Sequence, residues 1–265
     1  MLKRIAGIRN SRKPKMMVPK SRNAVETDLG TWWYPQLGGP ESLLAYARSI
    51  DAVKLCRELF DTLSEDKYLL YVKEFYDQGR ALWGDSWVFH DINTVLLSAA
   101  LSMKPESYME IGVRRARSAA MVLSQQPDCA FSAFDMWIPE YAGMENPGPD
   151  FVKAELDRLG HRGPREFIDG NSLETVPRYF AENPDRFFDI ITVDGDHSIA
   201  GARADLVNVK ERVKIGGLLV FDDTANQGHA GLGDVWDETI AGDPRFTSFV
   251  FNEVGFGIGI ATRKF

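Results

Sequence analysis

Cysteine is scarce in this sequence. Two occur in 265 residues, Cys56 and Cys129, and they form no CxxC pair. That excludes a disulfide framework and a cysteine-based zinc site, and it suits a reducing, cytoplasmic setting. Long apolar runs are missing too. No stretch approaches the roughly 20 residues that span a bilayer, so no membrane partner is expected. The opening MLKRIAGIRNSRKPKMM is broken by charge throughout and holds no signal-peptide core. Acid is absent from residues 1–25, which carry eight Lys and Arg; residues 26–265 then carry 23 bases against 38 acids, a balance of −15. A body that acidic argues against nucleic acid as the main substrate. No aromatic residue is interleaved with the charges of residues 1–25, which therefore read as a basic, flexible arm.

What is present is an ordinary globular composition, 44% hydrophobic and 26% charged, in a chain long enough for one large α/β domain with an appendage. ETDLGTWWYPQLGGP (26–40) reads as an ordered loop pinned to the body by Trp32, Trp33 and Tyr34. From Glu41 to about Gly84 apolar residues recur three and four apart, the helical spacing. DINTVLLSAALSM (91–103) predicts a further helix capped by Asp91. After Pro105 the rhythm changes to short apolar strands alternating with amphipathic helices. The strands are SYMEIG (107–112), AFSAFD (130–135), REFIDG (165–170), FDIITVD (188–194), GLLVFDD (217–223), FTSFVFN (246–252) and GFGIGIAT (255–262). Helices fit between the first five, and another fits at about 233–242. The last two strands leave no room for a crossover helix and predict an antiparallel hairpin. The expected fold is α/β: a Rossmann-like, seven-stranded, mostly parallel sheet with helices on both faces and an N-terminal helical region. Three segments follow: the arm (1–25), a helical cap or oligomerisation region (26–104), and a ligand-binding domain (105–265).

Ligands of open α/β sheets gather at the carboxyl ends of the strands. The first strand ends in Glu110-Ile111-Gly112, where a glycine permits a tight turn and close ligand approach. Asp135 closes the second strand, 23 residues beyond Gly112, where an acid can hold a ribose diol. The fourth strand ends at Asp194 and the fifth at Asp222-Asp223. Three carboxylates at one rim repel unless a cation sits among them, and Mg²⁺ suits an all-oxygen set. Capping of the following loops is the competing reading of these acids.

Set side by side, these residues resemble the class I S-adenosylmethionine-dependent methyltransferases over about residues 87–265. EIGVRRARSA is similar to that family's glycine-rich first motif, usually nearer EIGxxxGGS, with Ala116 and Arg117 where small glycines are common. The resemblance places Glu110, Gly112 and Ser118 by the methionine moiety of S-adenosylmethionine, Asp135 on its ribose and Trp137 near its adenosine. GNSLETVP (170–177) resembles the adenine-side segment, with Asn171 and Ser172 as contacts, although Ser172 fits an N-cap equally well. Asp194 borders both cofactor and metal.

The acid spacing is similar to metal-dependent O-methyltransferases of the catechol type and of macrolide and aminocoumarin sugar modification. That implies a metal on Asp194, Asp222 and Asp223, Mg²⁺ first, and a base at His197 or Asp196. The implied reaction is methyl transfer to a hydroxyl of a small molecule, a sugar or natural-product intermediate among the candidates. A metal-independent N- or C-methyltransferase and a non-catalytic cofactor-binding partner protein are the alternatives. His197 as a helix-start residue is weighed evenly with catalysis. His229 follows the acid pair in a glycine-rich loop, where it is either an ordinary surface histidine or a border of the acceptor site. Residues 136–149 read as a lid, and the N-terminal helices as a homo-oligomer face.

Overall fold

β-branched and aromatic residues dominate the short runs after Pro105, and each run becomes a strand of one seven-stranded sheet. The computed structural model describes residues 17–265. Most of the expected basic arm, residues 1–16, lies outside the described residues.

The first paired strands among the described residues form a two-stranded antiparallel ribbon, β1 (Ala24–Thr27) and β2 (Gly30–Trp33). Four helices follow: α1 (Pro40–Ala47), α2 (Ile50–Phe60), α3 (Lys67–Trp83) and α4 (Ile92–Met103). Asp91 caps α4 in a reciprocal box with Thr94, as its position before the apolar run predicts. The α/β part then runs β3 (Ser107–Ile111), α5 (Arg117–Leu123), β4 (Ala130–Asp135), α6 (Pro149–Arg158), β5 (Arg165–Asp169) and α7 (Ser172–Glu182). It continues through β6 (Phe188–Val193), α8 (Ile199–Lys210), β7 (Val213–Asp222), α9 (Leu232–Trp236), β8 (Phe246–Phe251) and β9 (Ile258–Arg263).

The strand order is β5-β4-β3-β6-β7-β9-β8, with β9 antiparallel to both neighbours. Growth of the sheet reverses direction between β3 and β6, so the switch point lies beside Gly112 and Asp194. One core packs α1–α5 on one face, with Leu96, Leu97, Tyr108 and Met121 fully buried. The other packs α7–α9 on the opposite face around Phe188, Leu206 and Trp236. The first core includes side chains from Leu44 through Leu156, so the N-terminal helices share their apolar interior with the sheet.

Two expectations about the N-terminal segment are corrected. Trp32, Trp33 and Tyr34 do not pin residues 26–40 to the body: each is more than half exposed, on a ribbon whose side chains all face water. The anchor lies a few residues earlier, inside the expected arm. Arg22 pairs with buried Asp189 and donates to the Met103 carbonyl, while its N–H bonds the Ile215 carbonyl at 2.9 Å. Asp189 also accepts from Lys214 at 3.0 Å and from the Ser107 N–H and hydroxyl at 2.8 Å each. A charge pair explains why apolar pattern alone pointed to the wrong residues.

Candidate active site

β3 delivers Gly112 at φ +89°. A Cβ on it would lie 1.8 Å from the Asp194 carbonyl oxygen. The glycine is therefore demanded by the close approach of two strand ends. The Asp194 N–H closes the contact onto the Ile111 carbonyl at 2.9 Å. Arg114 and Ala116 follow with φ of 49° and 59°. Left-handed backbone at such residues costs of order 1–3 kcal/mol each. Here the turn is held from outside: Arg114 donates to Asp66 at 2.7 Å and to the Glu145 carbonyl at 2.9 Å, and Arg115 pairs with Glu145 at 2.7 Å. Asp66 also caps α3, so the cofactor-type turn is tied directly to the N-terminal helices.

Glu110 is completely buried, accepting from the Ser118 hydroxyl and, at 2.8 Å, from the Tyr108 hydroxyl. Burial pushes its carboxyl up to about 8 against these two bonds, with Asp194 and Asp135 adding repulsion. A buried acid without a cation at this end of the sheet fits the ammonium group of an amino-acid-type ligand. Asp135 accepts from the Arg114 and Trp137 N–H groups at 2.8 Å each and from the Asn146 amide at 3.0 Å. It thus joins the turn to the 136–149 segment. Trp137, at φ +50°, packs toward Phe167, and its indole N–H is buried without a partner among the described residues. Such an orphaned donor also fits a ligand edge. Asn171, not Ser172, is the N-cap of α7; its side chain accepts from the Leu173 N–H at 2.9 Å.

Beyond β6 and β7 the polar residues divide in a way the sequence does not reveal. His197 Nε2 lies 3.3 Å from Asp194 Oδ1 and 3.4 Å from Asp223 Oδ2. The hydrogen bond to Asp194 raises the His197 pKa above its ordinary value, against partial burial. Asp196 turns the other way and accepts from the Ser198 N–H at 2.8 Å and hydroxyl at 3.0 Å, bracing the start of α8. Asp222 lines a different space. Burial, then repulsion from Asp194 and Asp223, pushes its carboxyl well above the usual range. Asp223, at φ +65°, is raised by burial and by Asp194.

The expected ligand set of Asp194, Asp222 and Asp223 is thus split. Among the described residues, the acids and imidazoles whose ligand atoms all lie within 4.8 Å of one another are His197, Asp223 and His229. The three-carboxylate cage that would suit Mg²⁺ is not assembled.

The space that Asp222 lines is a cavity of about 180 Å³ with walls of Tyr68, Phe75, Tyr76 and Phe89, and with Arg117 beside it. The Arg117 guanidinium stacks 4.5 Å from the Tyr68 ring centre, and its Nε has no partner among the described residues. Sequence reading missed Tyr68 and Arg117. The apolar spacing of α3 shows only a helix with one buried face, not that the face is shared between core and cavity.

This fold, with a strained turn after the first sheet strand and acids at the switch point, is an α/β fold of the kind that takes nucleotide-type ligands at its strand ends. Residues 109–224 match the family described as a methyltransferase domain. The chain is similar in structure to the O-methyltransferase TomG of Streptomyces achromogenes, involved in tomaymycin synthesis and bound to SAM. The identity is 17%, over 76% of this chain and 92% of that one, with a TM-score of 0.52. It is also similar to a Bacillus cereus O-methyltransferase in complex with SAH, at 13% identity over 81% and 91% of the two chains and a TM-score of 0.51. A third is CalS11, a TDP-rhamnose 3′-O-methyltransferase of calicheamicin biosynthesis, at 19% identity over 81% and 93% with a TM-score of 0.50. No curated protein matches the sequence significantly. Residues 109–224 thus carry a methyltransferase-type domain, within a fold that the chain shares with these solved methyltransferases.

Proposed function

We propose that this enzyme transfers a methyl group from S-adenosylmethionine to a hydroxyl of a small molecule, with His197 as the base. The observation that carries this reading is the placement of the His197 imidazole between Asp194 and Asp223. Carboxylates only accept hydrogen bonds, so neutral His197 carries its proton on Nε2 and leaves Nδ1 free to accept one. Asp196 is a weaker candidate because both its oxygens brace Ser198.

The cofactor, when bound, supplies an electrophilic sulfonium methyl. Glu110 would receive its ammonium end, Asp135 its ribose and Trp137 its adenosine edge, with Gly112 and Ser118 shaping the turn between them. Asn171 and Ser172 flank the adenine side at the start of α7. The chain's own contribution is to hold the hydroxyl beside His197 while its proton passes to the imidazole, a step worth typically 10²–10⁴-fold. No step of this reading passes through the magnesium expected on Asp194, Asp222 and Asp223, since those side chains divide between two spaces.

The aromatic walls of the cavity beside Asp222 support an acceptor with a ring or other apolar face. Leu70, Tyr71, Leu82 and Trp83 stand exposed on α3 and support a homo-oligomer through the N-terminal helices. Two buried free thiols support a cytoplasmic setting, and no described helix is long and apolar enough to cross a membrane.

The test is calorimetric titration of the full chain with S-adenosylmethionine, followed by transfer of labelled methyl to a panel of phenols, sugars and other hydroxylated small molecules. Binding that is lost in Asp135→Ala, and transfer that is lost in His197→Ala, are expected. Absence of cofactor binding by the unmutated protein would sink the reading.

A further inference from the structure

Two imidazoles and two carboxylates meet beyond the ends of β6 and β7, and proton transfer needs only one of the imidazoles. The His197 and His229 rings lie 4.3 Å apart, inclined at 41°. Asp223 completes a set with them, every ligand atom within 4.8 Å of the others, and Asp194 and Asp223 lie 3.3 and 3.4 Å from His197 Nε2. We propose that His197, Asp223 and His229, supported by Asp194, bind a borderline transition-metal ion of the Zn²⁺ class, and that its occupancy withdraws His197 from proton transfer.

Ligand type decides the class of ion. Two imidazoles beside carboxylate oxygen suit Zn²⁺, Cu²⁺ or Ni²⁺, whereas Mg²⁺ favours oxygen donors alone. Spacing agrees. Bonds of about 2.0–2.1 Å in a tetrahedron put neighbouring ligand atoms about 3.3–3.4 Å apart. The same bond length in an octahedron puts adjacent ligands only about 2.9 Å apart. Asp223 stands 3.4 Å from His197 Nε2, the tetrahedral spacing, while Asp194, 3.3 Å from the same nitrogen, lies outside the set and supports it.

The local chain can complete such a site. Asp223 sits in left-handed backbone directly after β7, and its side chain meets His197 while Asp222 lines the aromatic cavity. His229 ends a short turn in QGHAGLG, where the surrounding glycines let the ring adjust by a fraction of an ångström.

The consequence for catalysis is a matter of tautomers. With Nε2 carrying a proton toward the carboxylates, Nδ1 has a free lone pair. With Nε2 on a metal, the ring's remaining proton must sit on Nδ1, and no lone pair is left to act as base. This second half rests on the reading of His197 as base; the binding half does not.

Co²⁺ is the probe for binding. Titrated into the metal-free full chain, it should give the intense visible absorption of a tetrahedral nitrogen–oxygen site, and Zn²⁺ should displace it. His229→Ala and His229→Asn should each weaken Co²⁺ and Zn²⁺ binding at least about tenfold. Asp222→Asn should leave both within about twofold, because Asp222 is not in the set. Unchanged binding in both His229 variants, or loss in Asp222→Asn instead, overturns the site. Zn²⁺ should also stop methyl transfer over the concentration range that fills the site. Filling without any loss of rate overturns the blocking of His197 while leaving the site standing.

Discussion

Gly112 and Asp194 touch backbone to backbone: a Cβ on Gly112 would fall 1.8 Å from the Asp194 carbonyl oxygen. The turn proposed to face the cofactor and the strand end proposed to carry the acceptor-side acid are therefore one joint. Gly112→Ala must displace the Asp194 backbone and strain a residue at φ +89°. A loss of at least about 2 kcal/mol in unfolding free energy is expected, together with weaker cofactor binding. Urea denaturation checks the first and calorimetry the second. A variant with unchanged midpoint would show that the joint gives way easily.

If Glu110 receives the ammonium end of the cofactor as proposed, cofactor binding is expected to be pH-dependent. The Glu110 carboxyl titrates near 8 in the folded protein because of burial, well above its ordinary value of 4.5. Between those values the folded protein holds a proton that the unfolded chain has released, so the stability of the cofactor-free protein falls as pH rises across that window. An ammonium group beside the carboxylate favours the ionised form. Affinity for S-adenosylmethionine should therefore rise with pH up to about 8, with proton release measurable by calorimetry in buffers of different ionisation enthalpy. Glu110→Gln should flatten both dependences. A persistent slope in that variant would assign the proton elsewhere.

Which features were legible in the sequence follows from their range. AFSAFD predicts a strand that the structure places at Ala130–Asp135 without a shift, because alternation of apolar residues between flanking turns is a local signal. The hairpin of β8 and β9 was legible for the same reason, through the shortness of its connection. The acids at the strand ends were legible as positions but not as directions. Asp222 and Asp223 are adjacent in sequence, yet the left-handed backbone at Asp223 separates their side chains. His229 enters through a turn 32 residues after His197, a contact with no local periodicity. Trp32 and Trp33 show the opposite failure: apolar character suggested burial, but among the described residues the ribbon that carries them is left exposed.

Asp196 and His197 are adjacent, and their substitution separates support from chemistry. Asp196 braces the first turn of α8 through Ser198. Asp196→Asn should keep kcat within a few-fold and cost about 1 kcal/mol or less of stability, in the range of helix-start hydrogen bonds. His197→Ala should lower kcat by 10²–10⁴-fold with little change in cofactor affinity, the cost of a missing general base. Steady-state kinetics beside thermal melts makes the comparison. A reversal, with Asp196→Asn the slower enzyme, would move the base to Asp196.

Arg22 holds the N-terminal segment to the underside of the sheet through Asp189, far from the strand ends where the chemistry lies. Burial works against ionised Asp189, but Arg22, Lys214 and Ser107 together hold its carboxyl below the usual range. Arg22→Ala leaves that buried charge with Lys214 and three hydrogen bonds from Glu106 and Ser107. The expected cost is about 2–3 kcal/mol, somewhat below that of fully orphaning a buried ion. Because Asp189 titrates low when folded, the stability it contributes is present above the ordinary carboxylate pKa and fades as pH falls through the lowered folded value. The gap between Arg22→Ala and the parent, measured by urea unfolding at neutral pH, should therefore narrow in acid. A gap that is constant with pH would mean that Arg22 stabilises the segment by packing and by its bond to the Met103 carbonyl, not by its charge on Asp189.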